Sequence, residues 1–288
     1  MIEASSKTQA RPTVRPGFRL GTISWGNWAL GTHALLVYLF LYVPIAVLVL
    51  FSFTQDQFGT RWTGFTFDWY ARLFSNDRLM GAALNTLYVA LASTVASTVL
   101  GTLLAMAMER TRFRARPAVD GLLYLPIVIP EIVMALSLLA FFAFFFDIIE
   151  FVTGATLRRS LTTVTLAHIA FSISFVVVVV RTSLKNFDMR LEEAAADLGA
   201  NGWKTFWRIT FPLILPGIIG GALLAFTLSL DDFIISLFLS GPGTSLLPVE
   251  VYGRVKRAIT PEINAISTLM LMLSMTLVFL SQVLQRRR

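Results

Sequence analysis

The sequence has no cysteine, only two histidines and few charges, with Asp, Glu, Lys and Arg making up 14% of its 288 residues. Without cysteine there is no disulfide framework, no thiolate metal site and no cysteine nucleophile, although the compartment is left open. His33 and His168 alone give a zinc site little support, so no metal site is assigned. No G-x-x-x-x-G-K-[ST] string occurs, so the chain is not expected to bind ATP through a P-loop. The shortage of charge decides the class. A soluble domain carries about 25% charged residues, whereas here 56% of residues are hydrophobic and the mean hydropathy is +0.71, which makes lipid the main solvent.

The apolar residues are sorted into six stretches that reach or approach the roughly 20 residues of a membrane-spanning helix. They run from His33 to Phe53, Ala82 to Met108, Gly121 to Phe146, Leu161 to Val180, Leu213 to Leu239 and Ile263 to Leu284. The expected fold is therefore all-α and polytopic. The first stretch is too long and starts too late for a cleavable signal peptide, and it lacks a small-residue cleavage site. Residues 1–30 read as a basic tail and 31–288 as the transmembrane domain, with no internal repeat or second soluble domain.

Lys and Arg are distributed unequally between alternate connections. Sixteen lie in the N-terminal segment (Lys7, Arg11, Arg15, Arg19), the second connection (Arg110 to Arg116), the fourth (Arg181 to Arg208) and the C-terminus (Arg286 to Arg288), against eight in the other three. Cytoplasmic loops retain positive charge, so both termini are expected in the cytoplasm. The first external loop holds FTFDWYARLF, Phe65 to Phe74, which predicts an interfacial helix.

The connection from Arg181 to Pro212 is long and strongly patterned. Asp188 can cap a helix that places Leu191, Ala194, Ala195 and Leu198 on one face, and Gly199 supplies a stop. Asn201 can cap a second short helix carrying Trp203, Phe206 and Trp207, with Pro212 and Pro216 marking entry to the fifth span. Two short helices at a turn also describe a DNA-binding unit, but tethering between membrane spans argues against nucleic acid. Both helices could instead simply lie on the membrane surface. Against that, Ala194 to Ala196 form a flat face flanked by Glu192, Glu193 and Asp197, which suits close approach by another protein.

The string EAAADLGANGWKTFWRITFP, Glu193 to Pro212, resembles the EAA coupling loop of type I ABC importer permeases. Glu193, Ala194, Ala195, Gly199, Ile209 and Pro212 match that pattern, and Phe211 departs from it where leucine is usual. Phe226 to Leu269, Leu125 to Leu139 and Asn85 to Ala90 further resemble the second permease of spermidine and putrescine importers. The resemblance implies a bacterial inner-membrane subunit with no cofactor of its own. Its partners would be a homologous permease, two copies of an ATPase carrying ATP and Mg, and an external substrate-binding protein. It implies a polyamine substrate, with opines, aminoethylphosphonate and other small solutes as alternatives.

Ionisable groups inside spans are costly, about 2.5 to 3.5 kcal/mol each at a helix centre, and so are functional candidates. Glu131 follows Pro126 and Pro130, where a bend can open a polar pocket, and Asp231 and Asp232 fall in the fifth span before Gly241 to Gly243. Adjacent helical residues point about 100° apart, so at most one of this pair faces a central path squarely. Spaced carboxylates would attract an extended polycation, helped by Tyr124 and Phe233 through cation–π contact. The plainer alternatives are that Glu131 pairs with an arginine or stays protonated, and that Asp231 caps a helix or sits at the interface. His168 reads as a hydrogen-bonded packing residue, and Arg110 to Arg116 as a positive anchor. An intramembrane enzyme using these acids would have no nearby histidine, and a passive channel would need neither ATP nor a partner.

Overall fold

The computed structural model describes residues 25–111, 113–185, 187–257 and 260–286. Most of the expected basic tail, including Lys7, Arg11, Arg15 and Arg19, lies outside the described residues, as does Arg112. Six helices are long and apolar enough to cross a membrane, and no strand occurs among the described residues.

The helix α1, Trp25–Phe51, contains Pro44 and carries exposed apolar side chains such as Leu36, Phe40 and Tyr42 around its circumference. An all-round apolar surface of this kind suits lipid or a partner helix. The chain divides inside this helix, between Val47 and Leu48, into two units.

The second unit is built on α3 (Asp77–Arg110), α6 (Leu161–Lys185) and α9 (Phe211–Asp231). Small residues make their close approach possible. Along α3 the buried seam reads Ala82, Thr86, Ala90, Ser93, Ser97, Gly101, Ala105, and along α9 it reads Ile214, Gly217, Gly221, Ala225, Ser229. These positions recur every three or four residues, so each seam stays on one helix face. Val176 of α6 is the knob between them. A Cβ on Gly101 would stand 2.8 Å from Val176 Cγ1, and one on Gly221 would stand 3.3 Å from it.

The other elements fix the two ends. At the end remote from the Arg181–Pro212 segment, the Trp69 Nε1–H of α2 (Asp68–Phe74) donates to the Thr54 carbonyl at 2.6 Å. Asn76 caps α3 by accepting from the Leu79 N–H at 3.2 Å. Helix α11 (Leu247–Val255) is tied to α3 by Arg78 and Glu250 at 3.0 Å, and α12 (Pro261–Arg286) by Asn76 and Glu262 at 2.9 Å. The expected interfacial helix therefore exists but is shorter, because Phe65 pairs with Thr54 in an isolated bridge.

Two of the expected spans are not continuous. The third breaks into α4 (Arg116–Val128) and α5 (Glu131–Thr153), with Ile129 and Pro130 extended between them. Pro130 has no N–H to offer the Pro126 carbonyl, so the proline pair ends the helix where a bend was expected. The fifth stops at Asp231. Asp232 is extended (φ −65°, ψ 120°), and a separate short helix α10, Ile234–Leu239, follows.

Candidate functional site

The two breaks meet in the middle of the bundle. Glu131 lies in the first turn of α5, where Pro130 caps the helix through its carbonyl, accepting from the Val133 N–H at 2.9 Å. A cavity of about 540 Å³ lies between this turn, Pro126 of α4, Ile129 in the break, Phe171 and Phe175 of α6, and Asp231. Asp231 is exposed and also borders a second cavity of about 550 Å³, lined by Phe233, Tyr252 and Val255. The Phe233 and Tyr252 rings are 4.5 Å apart, and the Lys256 ammonium sits 4.8 Å from the Tyr252 centroid. Among the described residues neither Glu131 nor Asp231 has a lysine or arginine within ion-pair distance, so the arginine-paired alternative for Glu131 does not hold. Tyr124, on α4, lies outside both cavities.

Asp232 has a different position. It is buried, and its Oδ1 accepts from the Ile235 N–H at 3.2 Å while Oδ2 accepts from the Ser236 N–H at 2.8 Å and the Ser236 hydroxyl at 2.9 Å. It thus caps α10, the role that the sequence had left open for its neighbour. His168 Nε2 lies 3.2 Å from the same oxygen, and His168 Nδ1 lies 2.6 Å from the Ser229 hydroxyl, which reaches Ser93 at 3.0 Å. One polar chain therefore crosses α3, α9, α6 and α10. The Glu131 carboxyl lies against the buried Asp232 carboxyl, linking this chain to the cleft.

The expectation that no histidine stands near the acids is corrected by His168, whose 64-residue separation from Asp232 hid it. Ser229, His168 and Asp232 have the residue types of a hydrolytic triad. Ser229 and His168 are 1% exposed, however, so no substrate carbonyl can reach the hydroxyl, and the arrangement is a packing network.

The second candidate region is the Arg181–Pro212 segment. Its first helix, α7 (Arg190–Asp197), ends in a paired bond pattern. The Ala200 N–H donates to Ala195 and the Gly199 N–H to Ala196, each at 2.9 Å, with Gly199 at φ +82°. This motif needs a left-handed residue at Gly199. Asp188 does not cap the helix as expected; it accepts from the Arg190 N–H at 3.0 Å in a tight local turn. Asn201 does cap the next helix, α8 (Gly202–Thr205), through the Lys204 N–H at 2.9 Å.

That helix is not separate. It continues through a π-helical segment, Phe206–Thr210, into α9, so the fifth span begins inside the expected loop. The motif residues accordingly divide between two elements. Glu193 and Ala194 are exposed, Ala195 is buried and Gly199 stops the helix, while Ile209 and Pro212 lie where the wide turn joins α9. The outward side of this region carries Leu191, Leu198 (89% exposed) and Trp203 (71% exposed), an apolar patch of the kind that marks a protein contact. Glu192, expected on the docking face, instead turns inward to Arg110 and Thr210.

An all-helical membrane subunit with a central acidic cleft and a helix presented at one end defines a transport component. Residues 97–288 match the family described as the binding-protein-dependent transport system inner membrane component, and the chain belongs to that family. It is 42% identical over 251 residues to the spermidine/putrescine transport system permease protein PotC of Haemophilus influenzae, covering 87% of this chain and 94% of the relative. It is 40% identical over 238 residues to the putrescine transport system permease protein PotI of Escherichia coli, covering 82% and 83%. In fold it is similar to a chain of a bacterial alginate ABC transporter solved with an alginate pentasaccharide-bound periplasmic protein. That likeness has a TM-score of 0.74 at 20% identity, covering 91% of this chain and 94% of that one.

Proposed function

We propose that this chain is one of two permease subunits of an ATP-driven importer for a polyamine, spermidine or putrescine. The observation that carries the substrate class is the cleft. Glu131 and Asp231 stand at two helix breaks on one cavity, without a basic partner among the described residues. A polyamine has ammonium groups separated by short alkyl chains, and two acidic side chains with Phe171, Phe175 and Phe233 between and beside them match that alternation. The fold does not choose the solute, since the similar alginate transporter moves an acidic polysaccharide. The side chains at the breaks favour a cation, and the names of the PotC and PotI relatives support that reading.

In this reading a binding protein delivers the solute at the end formed by α2 and α11. A homologous permease supplies the facing half of the cleft. Two ATPase subunits dock at α7, with Glu193, Ala194 and Ala195 at the contact and Gly199 holding its shape; Ile209 and Pro212 shape the entry to α9. Both termini then lie on the ATPase side, in the cytoplasm. The chain itself makes and breaks no bonds in substrate, and ATP and Mg belong to the ATPase.

The test is purification of the tagged chain from its native membrane, with mass identification of co-purifying proteins, for wild type and Glu193→Lys. It is paired with labelled spermidine uptake for wild type and Glu131→Gln. The expected result is an ATPase and a second permease with wild type, loss of the ATPase with Glu193→Lys, and an assembled but poorly transporting complex with Glu131→Gln. A wild-type chain that purifies alone, under conditions where known complexes survive, would overturn the importer reading. Unchanged uptake in Glu131→Gln would remove that residue from the path.

A further inference from the structure

The docking helix has two unlike acids side by side. Glu193 is exposed and makes no ion pair among the described residues, whereas Glu192 is largely covered and accepts hydrogen bonds from Arg110 Nη2 and the Thr210 hydroxyl. Arg110 also reaches the Thr210 hydroxyl at 3.4 Å, closing a three-sided contact. Thr210 is fully buried at the last position of the π-helical segment, so the next residue begins α9. Arg110 is the last residue of α3.

Its neighbour Glu109 turns to other elements. It accepts from Arg181 Nε of α6 at 2.7 Å and lies 3.6 Å from Arg116 of α4, while Arg181 also binds Asp120 of α4. Two consecutive residues at the end of α3 thus join α7 and the start of α9 on one side to α4 and α6 on the other. The far ends of α4 and α9 are the two breaks that carry Glu131 and Asp231. A helix resists axial compression, so a displacement applied at the near end of α4 or α9 arrives at the cleft.

We propose that Glu192, through Arg110 and Thr210, is the positioning residue that passes movement of α7 to the helices bordering the cleft, while Glu193 serves docking alone. This rests on the reading of α7 as the ATPase contact. Ala195, the buried residue of α7, offers only a methyl group, so among the described residues the ion pair from this helix to the bundle is made by the Glu192 carboxylate. Hydrogen bonds to a charged group have the strength and geometry for that task.

The experiment uses the complete importer in proteoliposomes, with ATPase content, ATP hydrolysis and spermidine uptake measured per assembled complex. The variants are Glu192→Gln, Thr210→Val and the reciprocal exchange Glu192→Arg with Arg110→Glu. The expected result is full ATPase content in Glu192→Gln, uptake lower by about tenfold as befits loss of charge-assisted bonds, and more ATP consumed per molecule carried. The exchange should recover most of the uptake, which a purely stabilising contact would not link to the ATP ratio. Unchanged uptake and ratio in Glu192→Gln would overturn the proposal, as would loss of the ATPase, which would place Glu192 in the docking surface. Failure of both Glu192→Gln and Thr210→Val to assemble would overturn it too, by making the contact a requirement of the fold. A wild-type complex without an ATPase would instead remove the importer reading on which the proposal stands.

Discussion

Asp231 and Asp232 are adjacent and chemically identical, yet their surroundings predict opposite responses to the same substitution. Asp232 serves the two backbone N–H groups that open α10, the Ser236 hydroxyl and His168. In Asp232→Asn the remaining oxygen can take the place of Oδ2, but the new amide then points its hydrogens at the Ile235 N–H. One buried donor is left unpaired, at about 1 to 3 kcal/mol. Asp232→Ala leaves both N–H groups without an acceptor and removes the oxygen facing His168 Nε2, and each buried donor left unpaired costs about 1 to 3 kcal/mol. Asp231, exposed and outside every ion pair among the described residues, should tolerate Asn within about 0.5 kcal/mol. Its cost should fall on transport, with uptake lower by about tenfold through loss of one charge-assisted contact. The assay is thermal unfolding of the purified complex beside spermidine uptake in vesicles. A stability ranking of wild type and Asp231→Asn above Asp232→Asn, and of that above Asp232→Ala, is expected. An Asp232→Asn complex as stable as wild type, or an Asp231→Asn complex with normal uptake, would refute the assignment of these two side chains.

Gly101→Ala should destabilise the bundle by about 1 to 3 kcal/mol through overpacking against Val176, and adding Val176→Ala should recover part of the loss in a double-mutant cycle. Gly199→Ala meets no atom within 4 Å but must hold φ +82°, so it should cost about 1 to 2 kcal/mol locally. That loss should be read as reduced ATPase retention on purification, with the melting temperature of the bundle little changed. Burial raises the Glu250 pKa, but Arg78, Ser245 and Arg254 outweigh it and hold the carboxyl below its ordinary 4.5. The folded value is thus lower than the unfolded one, so the stabilisation is complete above pH 4.5 and disappears as pH falls through the folded value. Glu250→Gln should therefore be less stable than wild type at pH 7, with the gap closing on acidification; an equal gap at both extremes would count against the ion pair.

Much of this architecture was legible because lipid imposes simple rules. Apolar length gave the six spans, and the Glu193–Gly199 spacing, with glycine at the one position that needs a left-handed backbone, gave the presented helix. What stayed hidden depended on contacts between distant residues or on competition between local signals. Pro126 and Pro130 signalled disturbance, but whether a helix bends or ends is decided by whether its freed carbonyls find other partners. The inward turn of Glu192 needed Arg110, 82 residues earlier, and the partner of Asp232 needed His168, 64 residues earlier. The mistaken placement of Glu192 on the docking face followed from counting charges near α7 without knowing which side faced the bundle.

In the proposed reading, the unequal treatment of the two aspartates also accounts for a cleft that would attract cations. Helix N-termini carry partial positive charge and C-termini partial negative charge. The N-terminus of α10 is neutralised by Asp232, which also faces His168, and the N-terminus of α5 holds Glu131 in its first turn. Among the described residues, the C-termini of α4 and α9 have no such compensation at the cleft. Pro130 cannot donate to the Pro126 carbonyl, and the last residue of α9 is itself an acid, Asp231. A carboxylate at a helix C-terminus is disfavoured by about 0.3 to 1 kcal/mol, so removing its charge should leave the empty protein as stable or slightly more so. An ammonium group bound at Asp231, as proposed, would relieve that small native-state cost. In that reading Asp231 is the side chain that an arriving ammonium group would relieve, and Asp232, as the cap of α10, holds the chain at the break beside it.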